Sequence, residues 1–311
     1  MIDRRAPAAP PRWTVPAAVV VTLLVWASAF VAIRAIGDTF SPGPMALLRL
    51  VVGSLALTAV VLARGRRPAL PTARSLPLIV GYGLLWFAGY TVVLNAAERH
   101  LDAGTAALLV NVGPVLVAAA AGYLLGEGYP RPLLIGIAVS FTGVAIIALG
   151  GGGGRGDRLG VALGLLTAAL YAAGILAQKV ALRTTDALTA TWLGCVVGTV
   201  VVLPFAGSAV AELARASAPA VAAVVYLGVF PTAVGFALWA YALTRSDAGR
   251  LASTTLTVPG IVVLMSWAVL GELPTAAGLV GGALCLVGVA VSRRSGRRAP
   301  AAAAASAEVR P

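Results

Sequence analysis

Acidic residues, histidine and cysteine are all scarce in this chain. Its 311 residues include 11 Asp and Glu together, one His and two Cys, and only 11% of the residues are charged. Soluble domains carry roughly 25% charged residues, so this composition excludes an ordinary soluble domain. Enzymes need convergent nucleophiles, acid–base pairs or metal ligands, and few such side chains are present. We therefore predict no catalytic residue, no metal site and no cofactor.

Long apolar runs are abundant. Hydrophobic residues make up 59% of the chain and the mean hydropathy is +0.95. A membrane-spanning helix needs about 20 mostly apolar residues, and the runs are rich in Gly and Ala without the alternation of a membrane β-barrel. The predicted fold is an all-α integral membrane protein with ten transmembrane helices. The runs are 13–33, 44–63, 75–97, 103–126, 132–149, 159–178, 187–206, 216–240, 251–271 and 273–292.

The sequence repeats itself with a constant offset of 145 positions. Matching residues include Trp26 and Tyr171, Pro114 and Pro259, and the Leu-Gly-Glu triplets at 125–127 and 270–272. Each unit has five predicted spans, and an odd unit that is repeated must be inverted relative to its twin. The predicted organisation is a cytoplasmic N-terminal segment at 1–12, a first five-helix repeat at 13–149, a Gly-rich connector at 150–158, a second five-helix repeat at 159–292, and a disordered cytoplasmic tail at 293–311.

The basic residues are distributed unevenly between the two sides of the predicted spans. Of 23 Lys and Arg residues, 17 fall on one side, whereas Arg49 lies inside the second span. Cytoplasmic loops collect Lys and Arg, so both termini of a multi-pass protein of the inner (cytoplasmic) membrane are predicted to be cytoplasmic. The net charge of +12 is explained by topology and by contact with membrane lipids, and no nucleic-acid partner is predicted.

The motifs in both halves resemble one family of carriers. The stretch 25–34, followed by Pro44 and Leu48-Arg49-Leu50, is similar to the first two helices of EamA-type carriers in the drug/metabolite transporter superfamily. Asp102-Ala103-Gly104, Pro114 and the first Leu-Gly-Glu triplet, together with their twins, are similar to the fourth and ninth helices of that family. The resemblance implies two inverted five-helix repeats, a central cavity, and alternating-access transport of a small-molecule substrate.

The first helix departs from some relatives in that superfamily. The resemblance to small multidrug exporters implies a proton-coupling carboxylate in this helix, but residues 13–33 and their counterparts 159–178 contain no Asp or Glu. No acidic residue is evident away from the ends of the spans, so a direct proton relay lacks its usual carrier. Coupling stays open at this stage, and facilitated diffusion is a serious option.

Aromatic and polar side chains inside the spans nominate a pathway, because they are costly in hydrocarbon unless they face protein or water. Trp26 and Phe30 are one helical turn apart, and similar stripes occur in the third, sixth and eighth spans. Packing or anchoring at the lipid interface is the alternative role, particularly for Trp86 and Trp239. The predicted substrate-binding residues are Trp26, Phe30, Arg49, Tyr82, Tyr90, Asn95, Asn111, Tyr171, Gln178 and Trp239.

Some of these residues have equally good structural roles. Asn95 and Asn111 can bind a polar substrate or tie helices together. Arg49 can attract a carboxylate, pair with helix carbonyls or extend to the outer interface. Pro114 and Pro259 lie mid-span beside glycines and are candidate hinges, with static curvature as the alternative.

The function favoured by the sequence is secondary transport with alternating access, most simply export of an amino acid, an amino-acid derivative or another amphipathic compound. A passive channel or facilitator is the main alternative. An integral membrane enzyme is less well supported, because the spans contain no paired carboxylates. A homodimer is left open as a further partner arrangement.

Overall fold

The computed structural model describes residues 13–64, 71–72, 75–124, 131–149, 158–245, 251 and 254–292. The predicted segment 1–12, the tail 293–311 and the connector up to residue 157 lie outside these residues. The described part is helical throughout, apart from short turns. We number its helices as follows: α1 Thr14–Ile36, α2 Pro42–Ala63, α3 Leu76–Ala97, α4 Ala103–Val110 with Gly113–Leu124, α5 Arg131–Leu149, α6 Arg158–Ala181, α7 Ala187–Val201 with Leu203–Leu213, α8 Ala218–Leu243, α9 Thr255–Leu270 and α10 Ala276–Ser292.

Within the part of the chain that the structure describes, five helices are long and apolar enough to cross a membrane, namely α1, α2, α3, α6 and α8. Helix α7 would be a sixth if its two parts, which meet at an angle of 50°, form one span. Apolar helices of 10–17 residues are found in α4, α5, α9 and α10. The outer surfaces of long and short helices alike suit contact with lipid. Leu24 in α1, Leu55 in α2, Leu264 in α9 and Val280 in α10 are each about half exposed or more. These lengths and surfaces describe a multi-pass membrane protein.

Two helices contain a π-helical segment at the same repeat position. In α3 the segment is Gly83–Tyr90 and in α8 it is Gly228–Gly235, so both have 8 residues and their starts differ by 145 positions. Pro231 lies inside the second segment, but the first has no proline, so proline is not its cause. Segments with i→i+5 bonding are uncommon and often occur near functional sites. Trp86 and Tyr90 of the first segment line the cavity described below, and the second segment ends directly before Phe236, which also lines it.

The helices that carry the candidate hinges are interrupted immediately before each proline. The first part of α4 ends at Val110, and the second begins at Gly113, directly before Pro114. In α9 a 3₁₀ turn at Thr255–Thr257 precedes Val258 and Pro259. Proline fits the first turn of a helix because its missing N–H needs no acceptor there. Both prolines therefore start a helical segment within an apolar stretch and do not kink a continuous helix.

Helices α5 and α10 pack through facing glycines. A Cβ atom added at Gly136 would lie 2.5 Å from the carbonyl oxygen of Gly288, and Gly143 makes the corresponding close approach to Gly281. Between them, the Ser140 hydroxyl donates to the carbonyl of Cys285 at 3.2 Å. Residue numbers rise along α5 as they fall along α10, so these two helices run antiparallel.

Helices α2 and α7 also occupy equivalent repeat positions and contact each other. The hydroxyls of Ser54 and Thr199, which are 145 residues apart, lie 2.9 Å from each other. One turn further along α2, Thr58 accepts a hydrogen bond of 2.8 Å from the indole N–H of Trp192. This pair therefore also runs antiparallel.

Candidate substrate cavity

A cavity lies between the two halves of the chain. Its volume, counted as the space open to the centre of a water molecule, is about 50 Å³. Such a volume holds only a few water molecules, since one water occupies about 10–15 Å³ by this measure. The lining combines large aromatic rings with a few polar groups from seven helices. The lining residues are Trp26, Ala29, Phe30, Arg49, Trp86, Tyr90, Leu94, Val110, Asn111, Tyr171, Phe236, Thr255 and Val258.

Aromatic rings from both halves form one wall of the cavity. The Trp86 ring is central, with centroid distances of 5.6 Å to Tyr171, 5.1 Å to Phe236 and 6.4 Å to Trp26. The first two contacts are edge-to-face, a geometry that contributes about 0.5–1.5 kcal/mol per pair beyond burial. Tyr90 adds a further contact with Tyr171 at 6.2 Å. These contacts hold the rings in place and present an apolar surface to the cavity.

Helix α1 is attached to α8 by a hydrogen bond from the same wall. The indole N–H of Trp26 donates to the carbonyl oxygen of Pro231 at 3.2 Å. A Cβ atom at Gly235 would meet this indole nitrogen at 2.8 Å, so the small residue is needed for the close approach. The π-helical segment of α8 thus determines how Trp26 is positioned at the cavity.

Arg49 is the basic residue of the lining. Its side chain is buried, and its Nε donates to the hydroxyl oxygen of Thr232 at 2.8 Å. That hydroxyl in turn donates to the carbonyl of Leu227 at 2.8 Å. Within the described residues, Nη1 of Arg49 has no hydrogen-bond partner. The hydrogen bond from Nε therefore orients the guanidinium, while Nη1 remains available as a buried donor.

Asn111 provides a second polar group where α4 is interrupted. Its Nδ2 donates to the carbonyl of Ala107 at 3.1 Å, so the side chain is fixed by its own helix. Thr255, in the 3₁₀ turn before α9, is the other polar residue at the cavity on this side. The interruptions of both helices therefore place polar groups beside the aromatic wall.

Four of the ten predicted substrate-binding residues do not line the cavity. Tyr82 lies behind Trp86, at a centroid distance of 5.8 Å, and its hydroxyl accepts a 3.0 Å hydrogen bond from Gln178. Asn95 donates to the carbonyl of Pro42 at 3.0 Å. Trp239 packs against Trp26 with centroids 5.0 Å apart. Tyr82 and Trp239 therefore pack directly behind lining residues, whereas Asn95 and Gln178 bond to residues outside the lining.

The other six predicted residues, Trp26, Phe30, Arg49, Tyr90, Asn111 and Tyr171, line the cavity together. Trp86 was assigned an alternative role at the lipid interface, but it is 1% exposed and lies at the centre of the aromatic wall. Phe236 and Thr255 were not among the predicted site residues. The helical spacing of Thr232, Phe236 and Trp239 signalled Phe236, whereas Thr255 is signalled only by its repeat twin Val110, which also lines the cavity.

Charged residues gather at one end of the molecule, where α1, α3 and α9 end. Nε of Arg34 lies 3.1 Å from each carboxylate oxygen of Glu272, and Nη2 lies 3.0 Å from Oε1. Nη1 of Arg34 donates to the backbone carbonyl of Glu98 at 3.2 Å. Gly271, with φ of +66°, ends α9 in a left-handed turn and so positions Glu272 for this pair. This cluster connects three helix ends.

An apolar multi-helix protein with a cavity of mixed aromatic and polar lining has the features of a membrane transporter. The model of the EamA-like transporter family matches the chain twice, at residues 14–149 and 158–294. The chain belongs to the EamA-like transporter family.

Several known proteins are similar to this chain over most of its length. It is 37% identical to the "Probable terminal-alkyne amino-acid exporter" of Streptantibioticus cattleyicolor over 290 residues, covering 90% of this chain and 94% of that protein. It is 31% identical to the "Uncharacterized transporter YdfC" of Bacillus subtilis, covering 85% and 86%. A "Probable amino-acid metabolite efflux pump" of Escherichia coli is 25% identical, covering 87% and 91%. These names point to transporters and not to enzymes.

The fold is also similar to that of a solved protein. A crystal structure superposes with a TM-score of 0.62 at 20% identity, covering 93% of this chain and 100% of that one. This similarity concerns the fold alone. The family match and the names of the relatives support a membrane transporter of small metabolites.

Proposed function

We propose that the protein is a secondary carrier that exports a small carboxylate-bearing metabolite, such as an amino acid or its derivative, by alternating access. The observation that carries this proposal is the cavity between the two halves, where Arg49 has a buried donor that no described residue accepts from. A guanidinium binds a carboxylate through charge-assisted hydrogen bonds. The aromatic wall of the same cavity suits an apolar side chain. Relatives named as amino-acid exporters support this substrate class.

The names of the relatives favour a carrier over a passive channel, since an exporter and an efflux pump are among them. A carrier binds each substrate molecule and changes conformation around it. A channel would conduct through a pathway that does not need to close around each molecule.

Alternating access would follow from two inverted repeats of five spans each, giving ten spans in all. The antiparallel contacts of α5 with α10 and of α2 with α7 support this arrangement, since each pair consists of repeat-related helices. The matched π-helical segments and the matched interruptions before Pro114 and Pro259 support it further. We retain these interruptions as the proposed hinges.

Counterflow tests the carrier directly. The purified full chain is reconstituted in liposomes that are loaded with unlabelled propargylglycine, an alkyne amino acid, and radiolabelled propargylglycine is supplied outside. A carrier transiently accumulates label inside the liposomes above its equilibrium level. This occurs because each unlabelled molecule that leaves brings the binding site back to the outer side, where it can bind label. Plain equilibration of the label would indicate a channel. If neither propargylglycine nor any of the common amino acids is moved, the proposed substrate class is wrong.

The proposed orientation places both termini in the cytoplasm, within the inner membrane. Single cysteines at Ser217 and Arg245 precede and follow α8, and both positions are exposed. The native Cys195 and Cys285 are fully buried, so they provide a low background. An impermeant maleimide on intact cells should label position 217 and spare position 245. The reverse pattern would invert the proposed topology, and labelling at both positions would mean that α8 does not cross the membrane.

A further inference from the structure

Glu98 is a buried carboxyl group that the proposed transport cavity does not include. It directly follows α3, and its side chain is 2% exposed. Neither carboxyl oxygen has a hydrogen-bond partner within the described residues. Leu94, one helical turn earlier in α3, lines the cavity. Glu98 therefore lies between the cavity and the end of the molecule where Arg34 pairs with Glu272.

Charged groups from several other elements act on Glu98, but the cations among them have other partners. Arg34 contributes its guanidinium to both oxygens of Glu272 and only to the backbone carbonyl of Glu98. Arg49 donates its Nε to Thr232. The titratable and charged groups that act on Glu98 are Arg34 on α1, Arg49 on α2, Tyr90 on α3, Asp102 before α4 and Glu272 after α9.

Burial dominates the balance of these charges. Loss of water raises the pKa of Glu98 well above its usual range, and although Arg34 and Arg49 lower it, Asp102 and Glu272 raise it further. A carboxylate without hydrogen bonds is far more costly to bury than a neutral carboxyl group. Glu212 shows the contrast, since its two oxygens accept from the backbone N–H and the hydroxyl of Ser41 at 2.9 and 2.6 Å. Burial without hydrogen-bond partners among the described residues therefore favours the neutral form of Glu98 in this conformation.

We propose that Glu98 binds a proton each time this end of the cavity closes and releases the proton when the end opens to water. The step is a simple exchange, in which the carboxyl O–H bond forms or breaks and the proton comes from or returns to the adjoining water. This inference rests on the proposed carrier function, because it assumes that the Arg34 and Glu272 end opens. It differs from the sequence-based expectation that the spans lack a proton-binding carboxyl, since Glu98 follows the span and is nevertheless buried.

The proposal fixes the direction of the pH dependence. The closed conformation binds the proton more tightly than the open one, so low pH favours closure. Raising the pH through the pKa of Glu98 in the closed state shifts the population towards the open conformation. For a single proton, the open-to-closed ratio changes by at most about tenfold per pH unit.

Spin-label distances across this end measure the effect. Labels at Thr39→Cys and Leu273→Cys lie just beyond the ends of α1 and α9, so the distance between them reports on this end. Both native residues are exposed and uncharged. In the full chain in lipid nanodiscs, the short distance should give way to a longer one as the pH rises. Glu98→Gln imitates the neutral acid and should keep the short distance over the whole pH range, with less than a twofold change in the open-to-closed ratio. Glu212→Gln, the matched control, should titrate like the parent protein.

Infrared spectroscopy provides a second measurement that needs no conformational label. The parent protein and Glu98→Asp should show the carbonyl band of a protonated carboxylic acid at neutral pH, whereas Glu98→Gln should lose it and Glu212→Gln should keep it. A band unaffected by Glu98→Gln, or a Glu98→Gln variant that titrates like the parent, would overturn the proposal. Neither measurement uses a transported substrate, so a failure of the counterflow test remains distinct from a failure here.

Discussion

The two halves of the chain use the same residues to pack their helices but different residues to line the cavity. The glycines at 136 and 143 in α5 recur at 281 and 288 in α10, and each set fits against the other. At the cavity, however, the repeat partner of Arg49 is Gly194 and the partner of Asn111 is Leu256. Among the cavity-lining residues, only the pairs Trp26 with Tyr171 and Val110 with Thr255 are related by the repeat.

This difference separates two requirements of the proposed carrier. Two conformations of similar free energy require halves with equivalent packing, and the matched glycines supply it. Recognition of an asymmetric molecule requires an asymmetric site, and Arg49 supplies it in one half. The matching position in the other half has no room for a side chain, because a Cβ atom at Gly194 would lie 2.7 Å from the Tyr82 ring.

The substitutions with the largest expected effect test the glycine packing that the two halves share. Gly281→Ala would place a methyl group 2.5 Å from the carbonyl oxygen of Gly143, and its repeat twin Gly136→Ala would meet Gly288 in the same way. Overpacking of this kind costs about 1–3 kcal/mol. Both substitutions should lower the melting temperature of the detergent-solubilised protein by similar amounts. Gly81→Ala is the control, because nothing lies within 4 Å of its added Cβ; losses that differ widely between the twins would refute equivalent packing.

The next largest effect is expected at Arg49, the cavity cation that has no counterpart in the second half. Arg49→Met should weaken binding of a transported amino acid by about 10- to 100-fold, since a hydrogen bond to a charged group contributes about 1.5–3 kcal/mol. It should also remove the preference for that amino acid over its carboxamide. Concentration-dependent flux in liposomes measures both effects. Arg245→Met is the matched control, because Arg245 is exposed and stacks on Tyr241; equal losses in the two variants would exclude a carboxylate site at Arg49.

The aromatic pair that the repeat does share should give a smaller effect. Trp26→Ala and Tyr171→Ala each remove one ring from the cavity wall and should raise the half-saturating substrate concentration several-fold, for a loss of about 1 kcal/mol. The maximal flux should change less than the affinity. Phe230→Ala removes an exposed ring that contacts Tyr226, away from the cavity, and serves as the control. Unchanged affinity in both cavity variants would argue against an aromatic substrate contact.

The smallest expected effect compares two basic residues at matching positions. Arg34 is 13% exposed and pairs with Glu272, whereas its repeat partner Lys179 is exposed. Arg34→Met should lengthen the spin-label distance between positions 39 and 273 for part of the population. Partly exposed pairs contribute at most about 1 kcal/mol, or a fivefold change in ratio. Lys179→Met should leave that distance unchanged, and a similar response of both variants would show that the pair does not hold this end closed.

The features that the sequence predicts are those that depend on the order of residues along one helix or on the repeat. The turn spacing of Trp26 and Phe30 and the matching of Trp26 with Tyr171 both placed residues at the cavity. Tyr82 shares the same helical stripe as Trp86, yet it packs into the space left by Gly194 on α7. Such a contact depends on which helices are neighbours. Likewise, the charged groups that act on Glu98 come from four other parts of the chain, so the surroundings of this carboxyl group could not be read from the ends of the spans.

The paired π-helical segments provide a way to rotate part of a helix without separating it from the rest. A change from i→i+5 to i→i+4 bonding shifts the helical register by one residue, which corresponds to a rotation of about 100° and a rise of about 1.5 Å. In α3 the residues beyond Tyr90 include Leu94 and end beside Glu98, and in α8 those beyond Gly235 begin with Phe236. A screw motion of either segment would exchange the side chains that face the cavity while the preceding half of the helix stayed in place.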